Sequence, residues 1–257
     1  MKKYNFQKPK DAFNHAQFLI SQKKEVPQYV EELIATSGQF STKYARLLEQ
    51  RFEEGEHSIK KNAAYSVEYS IYILKKGRFR EAEQNIMTEP EHAYSYVKNI
   101  IRDDWPELND YILTNRGSAV WTNKTNYQYL NTYVLKYAKN RNPVFEKFFL
   151  AELKSYTISN VLEYYKKFRD FFPDNRWLEL ENATFGSFYY AAPMINYVMG
   201  LGIRMFEFEE QIINILSDDK FGVGFGHNIR QILEMYINNI RHLFTDQDLA
   251  EIYLRVS

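Results

Sequence analysis

The chain of 257 residues carries 33 Lys and Arg against 33 Asp and Glu, so no net charge directs it toward nucleic acid or an anionic membrane. It has no cysteine, which excludes disulfides, thiolate metal sites and cysteine nucleophiles. The basic N-terminus has no apolar run behind it, and no segment approaches the roughly 18 apolar residues of a membrane span, so we expect a soluble, cytoplasmic protein.

An apolar triplet with the spacing i, i+3 and i+7 recurs four times in the first half of the chain. This spacing places the three side chains on one face of a short helix. The triplets, separated by 26, 27 and 26 residues, are Val26, Tyr29 and Leu33; Phe52, Gly55 and Ile59; Phe79, Ala82 and Ile86; and Trp105, Leu108 and Ile112. Recurrence at a nearly constant period predicts a series of two-helix repeats.

Each predicted repeat consists of a first helix, a sharp corner and a second helix that carries the triplet. In the third repeat we expect the first helix over residues 64–75, ended by Lys75, Lys76 and Gly77, with Gly77 in the left-handed cap conformation. Pro27 and Pro106 stand where second helices begin, a position that tolerates proline.

After residue 113 the period lengthens. We expect a fifth pair of helices at 127–137 and 143–153, and a sixth at 158–171 and 173–180. In a seventh pair a first helix at 188–199 precedes the triplet Met205, Phe208 and Ile212, and a last pair covers 228–244 and 246–254. The pattern predicts an all-α fold, an α-solenoid formed by a superhelical stack of helical hairpins. We expect one domain over 1–257, with regular repeats at 12–113 and looser ones at 114–257.

The segment 77–86, Gly-Arg-Phe-Arg-Glu-Ala-Glu-Gln-Asn-Ile, resembles short HEAT-like two-helix repeats in functionally uncharacterised proteins of tailed bacteriophages. In those repeats a Tyr-rich helix precedes a Gly-Arg-Phe or Gly-Arg-Trp corner and an acidic second helix. The resemblance is best over 41–113 and looser over 12–34. Asp103 and Asp104 replace Gly-Arg in the fourth repeat, and the segment 173–180 lacks the Glu-x-Glu pattern. The resemblance implies a viral origin and carries over no catalytic residue.

Acidic residues recur in the first turns of the predicted second helices, at Glu81, Glu83, Glu107, Glu207 and Glu209. A carboxylate in that position interacts favourably with unpaired backbone N–H groups. Repetition at equivalent positions also argues against a single active site. We therefore interpret these residues as structural.

The five histidines, at positions 15, 57, 92, 227 and 242, have no partner at i+3 or i+4 that would complete a metal-binding pair. Hydrolase elbows and Walker loops are absent from the sequence as well. The sequence therefore predicts no catalytic residue, no metal and no cofactor.

Three glycines, Gly222, Gly224 and Gly226, precede a predicted helix. Backbone N–H groups of such a segment can hold an anion at a helix N-terminus. However, no strand precedes it, and the spacing of a dinucleotide fingerprint is missing. We interpret the segment as a loop between repeats that ends at Asn228 as N-cap, and anion binding stays open.

Charge is unevenly distributed in the second half. Residues 117–170 carry nine Lys and Arg against four Asp and Glu, whereas 171–257 carry six against twelve. One interpretation of the basic stretch is a nucleic-acid patch with interleaved tyrosines. Its cations are Lys136, Lys139, Arg141, Lys147, Lys154, Lys166, Lys167 and Arg169. The alternatives are solvated helix faces and electrostatic steering of a charged protein.

A repeated apolar face without a catalytic constellation favours a binding module over an enzyme. Second helices of solenoids present polar positions between their core anchors, and here the candidate partner-binding residues are Arg80, Gln84, Asn85, Asn109 and Asp110. Together with the phage resemblance, this predicts a viral protein in the host cytoplasm that engages or inhibits a host protein, such as a defence protein. A nucleic-acid-binding helical-repeat protein is the alternative.

Overall fold

The computed structural model describes residues 6–123, 125–151, 158–184, 191–217 and 223–256, and within these ranges every regular element is helical. The all-α prediction is confirmed. In the described ranges the α-helices are α1 (Pro9–Ser21), α2 (Gln28–Ala35), α3 (Gly38–Leu48), α4 (Glu53–Ile59), α5 (Ala63–Tyr72), α6 (Glu83–Met87), α7 (Pro90–Tyr96), α8 (Pro106–Leu113), α9 (Asn115–Trp121), α10 (Tyr127–Lys136), α11 (Pro143–Ala151), α12 (Ile158–Phe168), α13 (Leu178–Thr184), α14 (Ala191–Leu201), α15 (Phe206–Ser217), α16 (Val223–Asn239) and α17 (Asp246–Val256). A π turn at Val97–Ile101 extends α7.

The helices form hairpins that pack on their neighbours. The chain divides into two compact units, Met1–Val144 and Phe145–Ser257. In the first unit, α1, α3, α5, α7 and α10 contact one another in sequence, while α2 packs on α4. In the second unit, α12, α14 and α16 contact in sequence, and α15 packs on α16 and α17. Helices this short are stabilised mainly by burying one face against the neighbouring helices. The superhelical stack and the single domain stay predictions.

Burial confirms most of the predicted triplets and moves one of them. The triplets that begin at Phe52, Phe79, Trp105 and Met205 are buried throughout. In the first repeat, however, Val30 and Ile34 are fully buried, so the buried face lies one residue beyond the expected one.

The sixth pair corrects the expected second helix. Pro173 begins only a single 3₁₀ turn, and the α-helix starts at Leu178. The buried triplet is therefore Trp177, Leu180 and Thr184. In this register Glu179 and Glu181 supply the Glu-x-Glu pattern that the expected register lacked.

An unpredicted helix explains the longer period after residue 113. Helix α9 is inserted after α8, and its Trp121 is fully buried. The indole Nε1 of Trp121 donates a hydrogen bond to the carbonyl oxygen of Met87 at 3.1 Å. The fourth repeat is therefore a hairpin with a third helix attached.

Two predictions about glycine were wrong. Lys75 and Lys76, not Gly77, adopt the left-handed conformation after α5, with φ of 50° and 69°. Gly77 is needed for space, because a Cβ there would lie 2.8 Å from the carbonyl oxygen of Leu74. Helix α16 begins at Val223, so Asn228 is not its N-cap. Packing of α16 on α14 and α15 outweighs the low helix propensity of its glycines, which is about 1 kcal/mol each. Gly222 lies outside the described residues.

Seven buried tyrosines join successive hairpins. Each lies on a first helix and donates its hydroxyl to a side-chain oxygen on the second helix of the preceding repeat. Among the described residues the pairs, at 2.6–3.0 Å, are Tyr44 with Glu31, Tyr69 with Glu56, Tyr96 with Glu83, Tyr133 with Asn109, Tyr164 with Glu146, Tyr197 with Glu181, and Tyr236 with Glu209. We call each pair, with the groups that hold it, a tyrosine clamp.

The clamp also binds the corner that precedes the second helix. In the described residues, five clamp hydroxyls accept a hydrogen bond, at 2.6–3.2 Å, from the backbone N–H that begins a buried triplet, at Phe52, Phe79, Trp105, Trp177 and Met205. Among the contacts seen in the described residues, an arginine five residues earlier donates two hydrogen bonds to the clamp carboxylate in the pairs Arg51 with Glu56, Arg78 with Glu83, Arg176 with Glu181, and Arg204 with Glu209. One phenol hydroxyl thus connects a first helix to both the corner and the second helix of the preceding hairpin.

We expect Tyr69→Phe to lower the free energy of unfolding by about 1–3 kcal/mol. The substitution keeps the ring but leaves the N–H of Phe52 without its acceptor and removes the proton donated to Glu56. The matched control is Tyr72→Phe on the same helix, where the side chain is 57% exposed, and it should change the free energy by less than about 0.5 kcal/mol. Urea unfolding of the two variants measures the difference. Equal effects would show that the clamp adds no stability.

Candidate functional site

The acidic residues of the second helices divide into two environments. Glu83 and Glu209 are buried, and both are clamp acceptors. Glu81, Glu107 and Glu207 are exposed. The structural interpretation of the buried ones therefore rests on tyrosine and arginine partners more than on the helix dipole, and the exposed ones are available to solvent.

Burial controls the ionisation of the clamp tyrosines. It raises the pKa of Tyr69 to about 12, and the neighbouring Glu56 adds to the effect. It raises the pKa well above the ordinary tyrosine value for Tyr44, Tyr96, Tyr133, Tyr197 and Tyr236 as well. The main cause is that a tyrosinate would be desolvated, and a nearby carboxylate, Asp104 in the case of Tyr133, adds to the effect.

The five predicted partner-binding residues do not share one environment. Arg80, Gln84 and Asp110 are exposed. Asn85 is also exposed, but its Nδ2 donates a hydrogen bond to the carbonyl oxygen of Lys60 at 2.7 Å. Asn109 is engaged inside the fold, because its Oδ1 accepts from Tyr133 and its Nδ2 donates to Asp104 at 2.9 Å.

The predicted basic patch is divided between the two compact units. Lys136, Lys139 and Arg141 belong to the first unit, and Lys147, Lys166, Lys167 and Arg169 belong to the second. The ammonium group of Lys139 forms an ion pair with Asp103 at 2.7 Å.

The remaining lysines of this set are placed differently. Lys136, Lys147, Lys166 and Lys167 are exposed, and the ammonium group of Lys167 lies 5.1 Å from the centre of the Phe168 ring. Lys154 lies outside the described residues.

The part of the chain that the structure describes limits the kind of site in two ways. In that part of the chain no three His, Asp or Glu side chains come together in an arrangement that could hold a metal ion. Of the helices within the same ranges, none is both long and apolar enough to cross a membrane.

A groove that the sequence did not predict lies between α15 and α17, with a volume of about 180 Å³. Its rim carries Phe206, which is 63% exposed, and α17 also exposes Leu254. Phe206, Glu210 and Ile213 recur at i, i+4 and i+7, so they form one stripe on α15. That spacing was visible in the sequence, but the opposing stripe on α17 becomes relevant only when the two helices pack.

No protein-family model, no curated protein and no solved structure matches this chain.

We expect the protein to lose stability as the pH rises above about 10, the pKa of a tyrosine in an unfolded chain. Because the folded-state pKa of the clamp tyrosines is raised, their contribution is complete below pH 10 and is lost as the pH rises through the folded-state values, about 12 for Tyr69. Ultraviolet absorbance reports tyrosinate, and circular dichroism reports helix. Exposed tyrosines should ionise first with the helix signal intact, and the clamp tyrosines only as it falls. Ionisation of all 21 tyrosines without loss of helix would contradict buried clamps.

Proposed function

We propose that this chain is a non-enzymatic protein-binding module whose repeated second helices present the contact residues. The proposal rests on the difference in exposure between neighbouring residues at the corner that leads into α6. Glu83 is committed to the clamp, whereas Arg80 and Gln84, on the same short segment, are exposed. A corner whose clamp holds the buried carboxylate can vary its exposed positions without losing stability.

An extended series of exposed positions favours a protein partner over a small ligand. A specific protein interface buries at least about 1,000 Å², which requires contact residues from several elements. Exposed candidates occur on separate hairpins, at Arg80 and Gln84 near α6 and at Asp110 on α8. The α-solenoid arrangement of the hairpins is part of this proposal, because it would bring such positions into one elongated surface.

The resemblance of segment 77–86 to phage repeats supports a sharper form of the proposal. In that form the chain is encoded by a bacteriophage and acts in the host cytoplasm. Its partner is then a host protein, such as a defence protein, which it engages or inhibits.

We expect affinity capture from bacterial lysate, followed by mass spectrometry, to return a stoichiometric protein partner. The double substitution Arg80→Ala with Gln84→Ala should weaken binding to that partner by about tenfold or more, since interface energy is concentrated in a few residues. The control is Lys98→Ala, an exposed residue on the π turn after α7, and it should leave the affinity unchanged. Repeated capture without a stoichiometric protein, or turnover of a small molecule by the purified chain, would contradict the proposal.

Nucleic-acid binding is the second candidate, and the exposure of Lys166 and Lys167 on α12 favours it. If these lysines contact phosphates, affinity should fall with salt by roughly one unit of logarithmic slope per contact. The charge reversals Lys166→Glu and Lys167→Glu should then weaken binding to any sequence alike. Gel-shift titrations with single- and double-stranded DNA and RNA measure this, and no shift at low salt would eliminate the candidate.

A further inference from the structure

The groove between α15 and α17 has an apolar floor, and polar contacts join its two sides. Ile213 and Ile252 line it, and both side chains are almost fully buried. The guanidinium of Arg255 on α17 binds both carboxylate oxygens of Glu210 on α15, at 2.6 and 2.8 Å. Ser217 also donates its hydroxyl to the carbonyl oxygen of Arg255 at 2.8 Å. These contacts link α15 and α17 across the groove.

The charges that line the groove leave negative charge in excess. Two arginines, Arg204 and Arg255, face four carboxylates, so the formal sum is 2 − 4 = −2. Arg204 is fully engaged, since it binds Glu209 and Asp248 and its guanidinium lies 4.6 and 4.3 Å from the ring centres of Phe206 and Phe244.

The excess charge is placed where a ligand can reach it. Glu251 lies on α17 among the residues that line the groove, and it is exposed. Asp248 is part of the same lining, and hydrogen bonds from Thr245 and Arg204 lower its pKa to about 2, so it is ionised at neutral pH.

An exposed aromatic ring stands beside this negative charge. Phe206 is 63% exposed at the rim of the groove, although α15 buries its neighbours Met205 and Phe208. Aromatic side chains with an exposed face are typical anchors of protein interfaces and also attract cations. An apolar floor, an aromatic rim and excess carboxylate are together complementary to an apolar side chain flanked by Lys or Arg.

We propose that the α15–α17 groove docks a basic amphipathic segment of the partner protein. In the complex an apolar side chain of that segment packs on the exposed ring of Phe206, and its cations bind Glu251 and Asp248. The inference rests on the proposed protein-binding function and assigns it a second surface, distinct from Arg80 and Gln84. Charge complementarity selects this occupant over an acidic segment or a nucleic acid, because both would be repelled.

The test uses the full chain and two synthetic amphipathic helical peptides. The basic peptide has Lys on one face and Leu on the other, and the acidic peptide has Glu in place of each Lys. Fluorescence anisotropy should show that the basic peptide binds and the acidic peptide does not. Glu251→Lys should weaken it by about tenfold or more, since it replaces attraction by repulsion at the rim. The matched control, Glu234→Lys on α16, changes an exposed carboxylate that is not part of the groove and should leave the affinity unchanged.

Each other result overturns the inference. If the acidic peptide binds equally well, or if Glu251→Lys and Glu234→Lys behave alike, the groove does not select a basic segment. If sedimentation velocity shows a dimer that Glu251→Lys dissociates, the occupant is a second copy of the chain. If Glu251→Lys leaves the affinity for a captured partner unchanged, the groove inference fails while the binding-module proposal stands. Circular dichroism of both variants confirms that the helices are intact.

Discussion

A buried phenol hydroxyl has to find its hydrogen-bond partners inside the protein, because leaving it unpaired costs about 1–3 kcal/mol. Here that requirement is met at the junctions between hairpins. The hydroxyl of Tyr96, for example, accepts from the N–H of Phe79 and donates to Glu83, so it contacts both the corner before α6 and the first residue of α6. These two contacts fix the position of the tyrosine's own helix on the preceding hairpin. Each clamp therefore adds a directional contact to the apolar packing that aligns neighbouring hairpins.

The hydrogen bonds of the clamp are retained in repeats where other residues replace the Arg and Glu pair. At α8, Asp104 and Asn109 take the places that Arg and Glu occupy elsewhere, and Tyr133 still donates to Asn109 at 2.8 Å and still accepts from the N–H of Trp105. In the first repeat Pro27 has no N–H to donate, and the hydrogen bond to Glu31 is retained. The common element is a satisfied phenol, and the acceptor can be charged or neutral.

This arrangement separates the acids that hold the fold together from those that a partner can reach. Buried carboxylates such as Glu181 accept hydrogen bonds from clamp tyrosines, whereas exposed ones such as Glu251 are accessible to a partner. The same separation applies to the candidate site residues. The exposure of Arg80 was predictable, because it lies off the apolar face of its helix. The internal role of Asn109 was not, because its partner, Tyr133, is 24 residues away in sequence.

The sequence by itself determined the helical content and the triplets such as that of Phe79, because the i, i+3, i+7 spacing places three side chains on one face of a helix over about two turns. It could not determine which tyrosine reaches which acceptor. Glu56 and Tyr69 are 13 residues apart, whereas Glu209 and Tyr236 are 27 apart, since inserted segments and connections differ in length. Only the packing of one hairpin on the next brings these atoms together, and the same packing of α17 on α15 creates the groove. Those contacts join groups that are distant in sequence, and beyond the first three clamps, which share a separation of 13 residues, the separation differs from one clamp to the next, so no single spacing encodes them.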